Sequence, residues 1–265
     1  MNIAITGNLG SGKSSVAKIL KENGYEIIST GNIFRQLAME KGLSVEEFNK
    51  QVNEAASRGD RSVDTMIDNT TTKIGEERDH VIFDSRLAWH FAPKSFKVFL
   101  ITDIDEASRR VFHDSLRANS ESYPSQDDCK KALIHRQKLE TVRYQEIYGI
   151  DYYDMNNYNL VIESTNASPQ EIAQEILDQL EAYRAGRFEK LIELNPSSIH
   201  RTEYATQAAE ADYVAVCEKC GVFTISAGEK KLDEAISHKK KFIAVKLSNI
   251  EPDGEDRFMD FSHCI

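Results

Sequence analysis

No uninterrupted apolar run reaches the roughly 18 residues that a membrane-spanning helix needs, so a membrane partner is not expected. Cysteine is scarce, with 4 residues in 265, and so is proline, with 5, which excludes a disulfide framework and a proline-rich scaffold. Positive charge is in the minority, 33 Lys and Arg against 43 Asp and Glu. A formal net charge of -10 argues against a nucleic-acid backbone as partner, because such binding needs clustered basic side chains to displace counterions. The N-terminus also lacks the apolar core of a secretory signal, since a polar glycine loop begins at Gly7, and a cytoplasmic location is expected. What is present is the composition of a globular chain, 40% hydrophobic and 29% charged. Its length suits one domain followed by a small second one.

Five short apolar runs punctuate the first part of the chain: 2–6, 25–29, 81–84, 96–102 and 159–163. Helical spacing separates them, which predicts an α/β fold, five buried strands in a mainly parallel sheet joined by right-handed crossovers. Caps announce two of the helices. Ser44 with Glu47 forms one capping box, and Ser168 with Pro169 and Glu171 repeats the device before the stripe Ile172, Ile176, Leu177 and Leu180. A polar segment around Gly186 marks a boundary, giving domains 1–185 and 190–265. The second carries alternating runs at 213–216, 222–226 and 242–247 around a short helix at 231–237, a small α+β unit.

Residues Gly7-Asn8-Leu9-Gly10-Ser11-Gly12-Lys13-Ser14, with Ser15 next, fit the phosphate-binding loop pattern and stand between a strand and a helix, as the pattern requires. Glycines let the backbone curl so that Gly7, Gly10, Ser11, Gly12, Lys13, Ser14 and Ser15 surround a phosphate at a helix N-terminus. Lys13 would reach the β- and γ-phosphates of ATP, and the Ser14 hydroxyl would ligate Mg2+.

Phosphoryl transfer between two anions requires positive charge on the acceptor side as well. Arg35 follows the second strand, and Asp84-Ser85-Arg86 ends the third, where α/β proteins bind ligands. Asp84 would hold a magnesium-bound water and Arg35 and Arg86 an acceptor phosphate; the plainer alternative is a solvated helix start and a surface ion pair. Arg109, Arg110, Arg117, Arg136 and Arg143 then form an arginine-rich stretch. Arg136 and Arg143 share a helical face, as parts of a closing lid or of an ordinary solvated surface.

The order of phosphate loop, Thr30-Gly31-x-x-x-Arg35, Asp84-x-Arg86, arginine lid and Arg143-Tyr144-x-x-Ile147-Tyr148-Gly149-Ile150-Asp151 resembles the archaeal-type cytidylate kinases over residues 1–183. The resemblance implies a P-loop nucleoside-monophosphate kinase with a five-stranded parallel sheet and helices on both faces, which takes ATP and CMP or dCMP. It implies an acceptor-phosphate pair Arg35 and Arg86, lid residues Arg110, Arg136 and Arg143 on the transferring phosphate, and an adenine-holding loop at Ser164–Ser168. Asn32 stands where related kinases often carry an acid and Ser85 where they carry glycine, which bears on the choice of base. The stretch Asp60–Lys73 reads as an insertion rich in Asp and Thr.

In the second domain, Gly228-Glu229-Lys230-Lys231 and Leu194-Asn195-Pro196-Ser197-Ser198-Ile199 resemble the nucleotide-cradling box and opening strand of ParB-type and sulfiredoxin-like domains. The alternative is a regulatory or dimerising module. Cys217-x-x-Cys220 with His263 and Cys264 has the donors for a zinc site, but a lone C-x-x-C without a second spaced pair is a weak signal, and reduced thiols on a turn are the preferred reading. The expected activity is phosphoryl transfer from ATP to a nucleoside monophosphate, with small nucleotides as partners and the oligomeric state open. Two rivals remain: a kinase of another small acceptor such as dephospho-coenzyme A, and a nucleotide-binding regulator.

Overall fold

Both faces of the central strands are covered, and the alternation of side chains assigns each residue to one of two apolar layers. The computed structural model describes residues 1–114, 122–201, 211–219 and 222–248. Its elements begin with β1 (Ile3–Gly7), α1 (Lys13–Glu22), β2 (Glu26–Ser29), α2 (Thr30–Glu40), α3 (Val45–Ser57), α4 (Ser62–Glu77), β3 (Val81–Asp84), α5 (Ala88–Phe91) and β4 (Phe96–Ile101). They continue with α6 (Ile104–Phe112), α7 (Gln126–Tyr148), β5 (Leu160–Glu163), α8 (Pro169–Arg184), β6 (Leu191–Leu194), β7 (Val214–Lys219), β8 (Val222–Ala227), α9 (Glu229–Ser237) and β9 (Ile243–Leu247).

Ile3 and Ile5 of β1, Val98 and Leu100 of β4 and Leu160 and Ile162 of β5 pack beneath α1 and α8, against Val16, Leu20, Ile172, Ile176 and Leu180. The intervening residues Ala4, Phe99 and Val161 turn to the other face, where Trp89, Tyr144, Tyr152 and Tyr158 cover them. A strand buried on both sides has no polar register to slip into, which is why its sequence is an apolar run rather than an alternation. The sheet order β2-β3-β1-β4-β5 is parallel throughout and meets the five expected strands. Both capping boxes form, with Ser44 and Ser168 accepting from the backbone N–H of Glu47 and Glu171.

The sheet does not stop at β5. β6 adds to β5 in parallel, β9 joins β6 antiparallel, and β7 and β8 complete an order of nine strands. Glu163 at the end of β5 fastens this extension, accepting from the Asn195 backbone N–H at 3.0 Å and the Ser198 hydroxyl at 2.7 Å. The strands and helix expected after residue 190 are present as β7, β8, α9 and β9. The stretch read as an insertion at 60–73 is most of helix α4. Cys217 lies on β7, whereas Cys220, His263 and Cys264, the other proposed zinc donors, lie outside the described residues.

β1 lies between β3 and β4, and successive crossovers run to opposite sides of it, so the carboxyl ends of β1 and β3 open on a cleft at the topological switch. Among the described residues no helix is long and apolar enough to cross a membrane.

Candidate active site

The phosphate loop leaves β1 at Gly7 with φ 147°, and a Cβ there would lie 2.3 Å from the Leu100 carbonyl oxygen of β4. Gly10, with φ 76°, is equally confined, its Cβ position falling 2.7 Å from the Ala107 carbonyl oxygen of α6. Glycine at these positions serves close approach of backbone to backbone as much as positive φ. Leu9 packs with Ala107, Val111, Cys129 and Leu133, which ties the loop to the α6–α7 pair. Buried Ser11 is held through its carbonyl, which accepts from the Ser164 hydroxyl at 2.9 Å. Lys13 curls back over the loop, donating to the carbonyls of Gly7 at 3.0 Å and Asn8 at 2.7 Å and to the Ser11 hydroxyl at 3.3 Å.

Across from the loop, register brings Asp84 beside Ile5 and Ser29 at the strand ends. Its Oδ2 accepts from the Ser14 hydroxyl at 2.7 Å and the Ser29 hydroxyl at 3.4 Å. A carboxylate and two hydroxyls at the loop mouth are hard oxygen donors of the kind Mg2+ prefers, so the residues present fit that ion.

Helix α7 supplies the far wall. Its residues Arg136, Glu140, Arg143 and Tyr144 follow the i, i+4, i+7, i+8 spacing of one helical face, and all line the cleft. Glu140, only 4% exposed, accepts from Arg86 Nε at 3.0 Å and from Arg136 Nε at 2.9 Å. Burial by itself would raise the Glu140 pKa, but Arg86, Arg136 and Arg143 outweigh it and hold the carboxyl at about 2. Two guanidinium groups are thus prepositioned on one buried anion. Arg35 reaches the cleft from α2, its Nη2 donating to Asn32 Oδ1 at 2.5 Å.

The structure therefore brings Gly10, Lys13, Ser14, Arg35, Asp84, Arg86, Arg136 and Arg143 to one cleft. Arg110 is placed differently. It packs against the outside of the loop, where a Cβ on Gly12 would lie 3.8 Å from its Nη1, and it donates from Nη2 to the carbonyls of Ser164 at 2.7 Å and Thr165 at 3.0 Å. Arg109 forms an exposed ion pair with Glu106, the plainer reading, and Ser15 is exposed on α1. Arg117 lies outside the described residues.

Sequence reasoning missed Glu140 and the α4 wall. Asp64, Ile67, Asp68 and Thr71 are spaced i, i+3, i+4 and i+7, so α4 turns one face to the cleft. Asp68 accepts a hydrogen bond from the Tyr148 hydroxyl, and burial pushes its carboxyl up to about 6 against that bond. The spacing of Asp and Thr carried this signal, had the stretch been read as helix.

A phosphate loop on β1, a strand-end aspartate and an arginine-bearing helix facing them across a cleft of a parallel sheet define a P-loop phosphotransferase. The family model described as "Cytidylate kinase-like family" matches residues 2–166, and the chain belongs to that family. The chain is 36% identical over 165 residues to the cytidylate kinase of Methanosarcina mazei, covering 62% of this chain and 87% of that one. It is 34% identical to the cytidylate kinase of Thermoplasma volcanium over 188 residues, 68% of this chain and 92% of that one. Against the cytidylate kinase of Halobacterium salinarum it is 31% identical over 207 residues, 77% of this chain and 99% of that one. The protein is a phosphotransferase of the nucleoside-monophosphate kinase type. The family match ends at residue 166, before α8 and β6.

Proposed function

We propose that the protein transfers the γ-phosphoryl group of ATP to CMP or dCMP. The observation that carries this is the pairing of two charge systems across one cleft: Lys13 and Ser14 on the loop, and Arg35, Arg86 and Arg136 opposite, the last two held on Glu140. A second arginine-lined phosphate pocket is what an acceptor that already bears a phosphate needs, and a plain hydroxyl acceptor does not.

In this reading the loop N–H groups and Lys13 take the β- and γ-phosphates. Ser14 and Asp84 would hold Mg2+, which supplies charge neutralisation on the phosphate oxygens when bound. The Lys13 ammonium exchanges its contacts with the Gly7 and Asn8 carbonyls for nucleotide phosphate. Arg35 and Arg86 grip the acceptor phosphate and aim its oxygen in line with the γ-phosphorus. Arg136 neutralises charge that accumulates in the transition state, and Arg110 buttresses the adenine side through Ser164 and Thr165. No covalent intermediate is needed, because positioning and electrostatics carry the catalysis. Residues 190–265 form, in the same proposal, a separate unit that docks through β6.

The test is an acceptor panel. ATP and Mg2+ incubated with each common nucleoside monophosphate should yield ADP and the diphosphate most rapidly with CMP or dCMP. A preference for another monophosphate refutes the base assignment, and no diphosphate from any of them favours a nucleotide-binding regulator.

A further inference from the structure

Glu163 ends β5 with a side chain only 6% exposed, and among the described residues no cation pairs with it. Its oxygens are divided between the Asn195 backbone N–H, at 3.0 Å from Oε2, and the Ser198 hydroxyl, at 2.7 Å from Oε1. Both donors lie beyond the residues that the family model matches. A buried carboxylate held by two neutral donors is costly, and an apolar side chain would fill the same place with less desolvation. The charge is therefore explained better as a fastener than as packing. Its partners are themselves fixed. The Asn195 side chain caps the single 3-10 turn Pro196–Ser198, accepting from the Ser197 N–H at 2.9 Å, and Ile199 joins the apolar layer of Phe223 and Ile225. His200 ties the turn to β8, donating from its N–H to the Phe223 carbonyl at 2.8 Å and accepting from the Ile225 N–H at 2.9 Å.

On its other side Glu163 leads directly into the β5–α8 connection, residues 164–168, which touches the phosphate loop. The Ser164 hydroxyl donates to the Ser11 carbonyl, Arg110 donates to the carbonyls of Ser164 and Thr165, and Thr165 Oγ1 accepts from the Asp103 N–H at 3.0 Å. Arg35 and Arg86 take up the β3 side of the phosphate loop, so the nucleoside of the phosphoryl donor leaves the loop on the β4 and β5 side, toward this connection. A chain of hydrogen bonds with one covalent step, Glu163 to Ser164, thus links β8 to the donor side of the cleft.

We propose that Glu163 is a positioning residue for ATP, through which the C-terminal strands β6 to β9 hold the 164–168 connection in its nucleotide-binding shape. This rests on the kinase reading above and extends it to a part of the chain outside the family match. With both bonds made, the connection is pinned between the phosphate loop and the 3-10 turn. Without them it is anchored at one end only, and ordering it on binding weakens the affinity for ATP. The acceptor side, across the phosphate loop against α7, is left as it was.

The experiment measures equilibrium binding of a non-hydrolysable ATP analogue with Mg2+, and separately of CMP, to the full chain, alongside steady-state kinetics, for Glu163→Ala, Glu163→Gln and Ser198→Ala. Glu163→Ala should raise the Kd for the analogue and KM for ATP roughly 10-fold, with CMP affinity and kcat at saturating ATP within about twofold of wild type. Ser198→Ala, which does not line the cleft, should act in the same direction by roughly 3-fold. Glutamine keeps an accepting oxygen for the Asn195 N–H and offers an N–H to the Ser198 hydroxyl, so Glu163→Gln should return the ATP affinity to within about twofold of wild type. Folded Glu163→Ala that binds the analogue as tightly as wild type, or that loses ATP and CMP affinity equally, overturns the proposal. If Glu163→Ala fails to fold, wild-type affinity for the analogue in Ser198→Ala overturns it instead. Selective loss of analogue binding in the alanine variants, with no diphosphate formed by wild type from any monophosphate, would refute the kinase reading and leave the positioning role standing.

Discussion

Replacing Glu140 with glutamine removes one negative charge from the centre of the arginine cluster while keeping its shape. In the native protein that carboxylate is buried and contacts Arg86 and Arg136, with Arg143 close by, and these groups hold its pKa at about 2 against an ordinary 4.5. Each tenfold change in proton affinity is worth about 1.4 kcal/mol, so the depressed pKa represents about 3 kcal/mol of stability at neutral pH. The sign follows from the direction. An acid held below its unfolded value stabilises the fold above pH 4.5, and the contribution disappears as the pH falls from 4.5 toward 2. Glutamine leaves three guanidinium groups without their shared anion, the situation in which breaking a buried ion pair costs about 3–5 kcal/mol. Glu140→Gln should therefore melt roughly 6–12 °C below wild type at pH 7, a shift expected from about 3 kcal/mol in a chain of this size. In denaturant titrations the gap should narrow once the pH drops below 4.5. A variant melting within about 1 °C of wild type at pH 7, or a gap of constant size from pH 7 to pH 3, would refute the idea that Glu140 prepays the alignment of Arg86 and Arg136.

Lys13→Ala should lower turnover by roughly 100-fold or more with little change in melting temperature, because in the free protein the ammonium donates to the Gly7 and Asn8 carbonyls and the Ser11 hydroxyl of its own loop; single-turnover kinetics decides it. Gly7→Ala should destabilise by more than about 2 kcal/mol in denaturant titration, since the new methyl would sit 2.3 Å from the Leu100 carbonyl oxygen at a φ of 147°. Glu193 on β6 is raised by burial, then by Glu175, to about 7. An acid held above its unfolded value opposes folding once ionised, so Glu193→Gln should stabilise by up to about 3 kcal/mol at pH 8 and have no effect at pH 4, as chemical denaturation at the two pH values would show. Glu163→Ala orphans the Asn195 N–H and the Ser198 hydroxyl, and should cost about 1–3 kcal/mol and speed amide exchange in β6 relative to β1.

The sequence alone determined whatever depends on neighbours in the chain. Ile3 to Gly7 followed by the glycines of the phosphate loop is a local pattern, and so are the two capping boxes and the spacing of Arg136 and Arg143 on one helix; each appears in the structure where it was expected. Only the tertiary structure decided which charges meet. Glu140 joins Arg86 across 54 positions of sequence, and Arg143 faces Asp64 from a different helix, pairings that depend on how α4 and α7 cross the sheet. Arg110 and Arg136 read alike as lid residues in sequence, yet one braces the outside of the loop and the other lines the cleft. The continuation of the sheet through β6 to β8 was hidden for the same reason: strand pairing is a contact between distant backbones, and no local pattern of side chains names the partner strand.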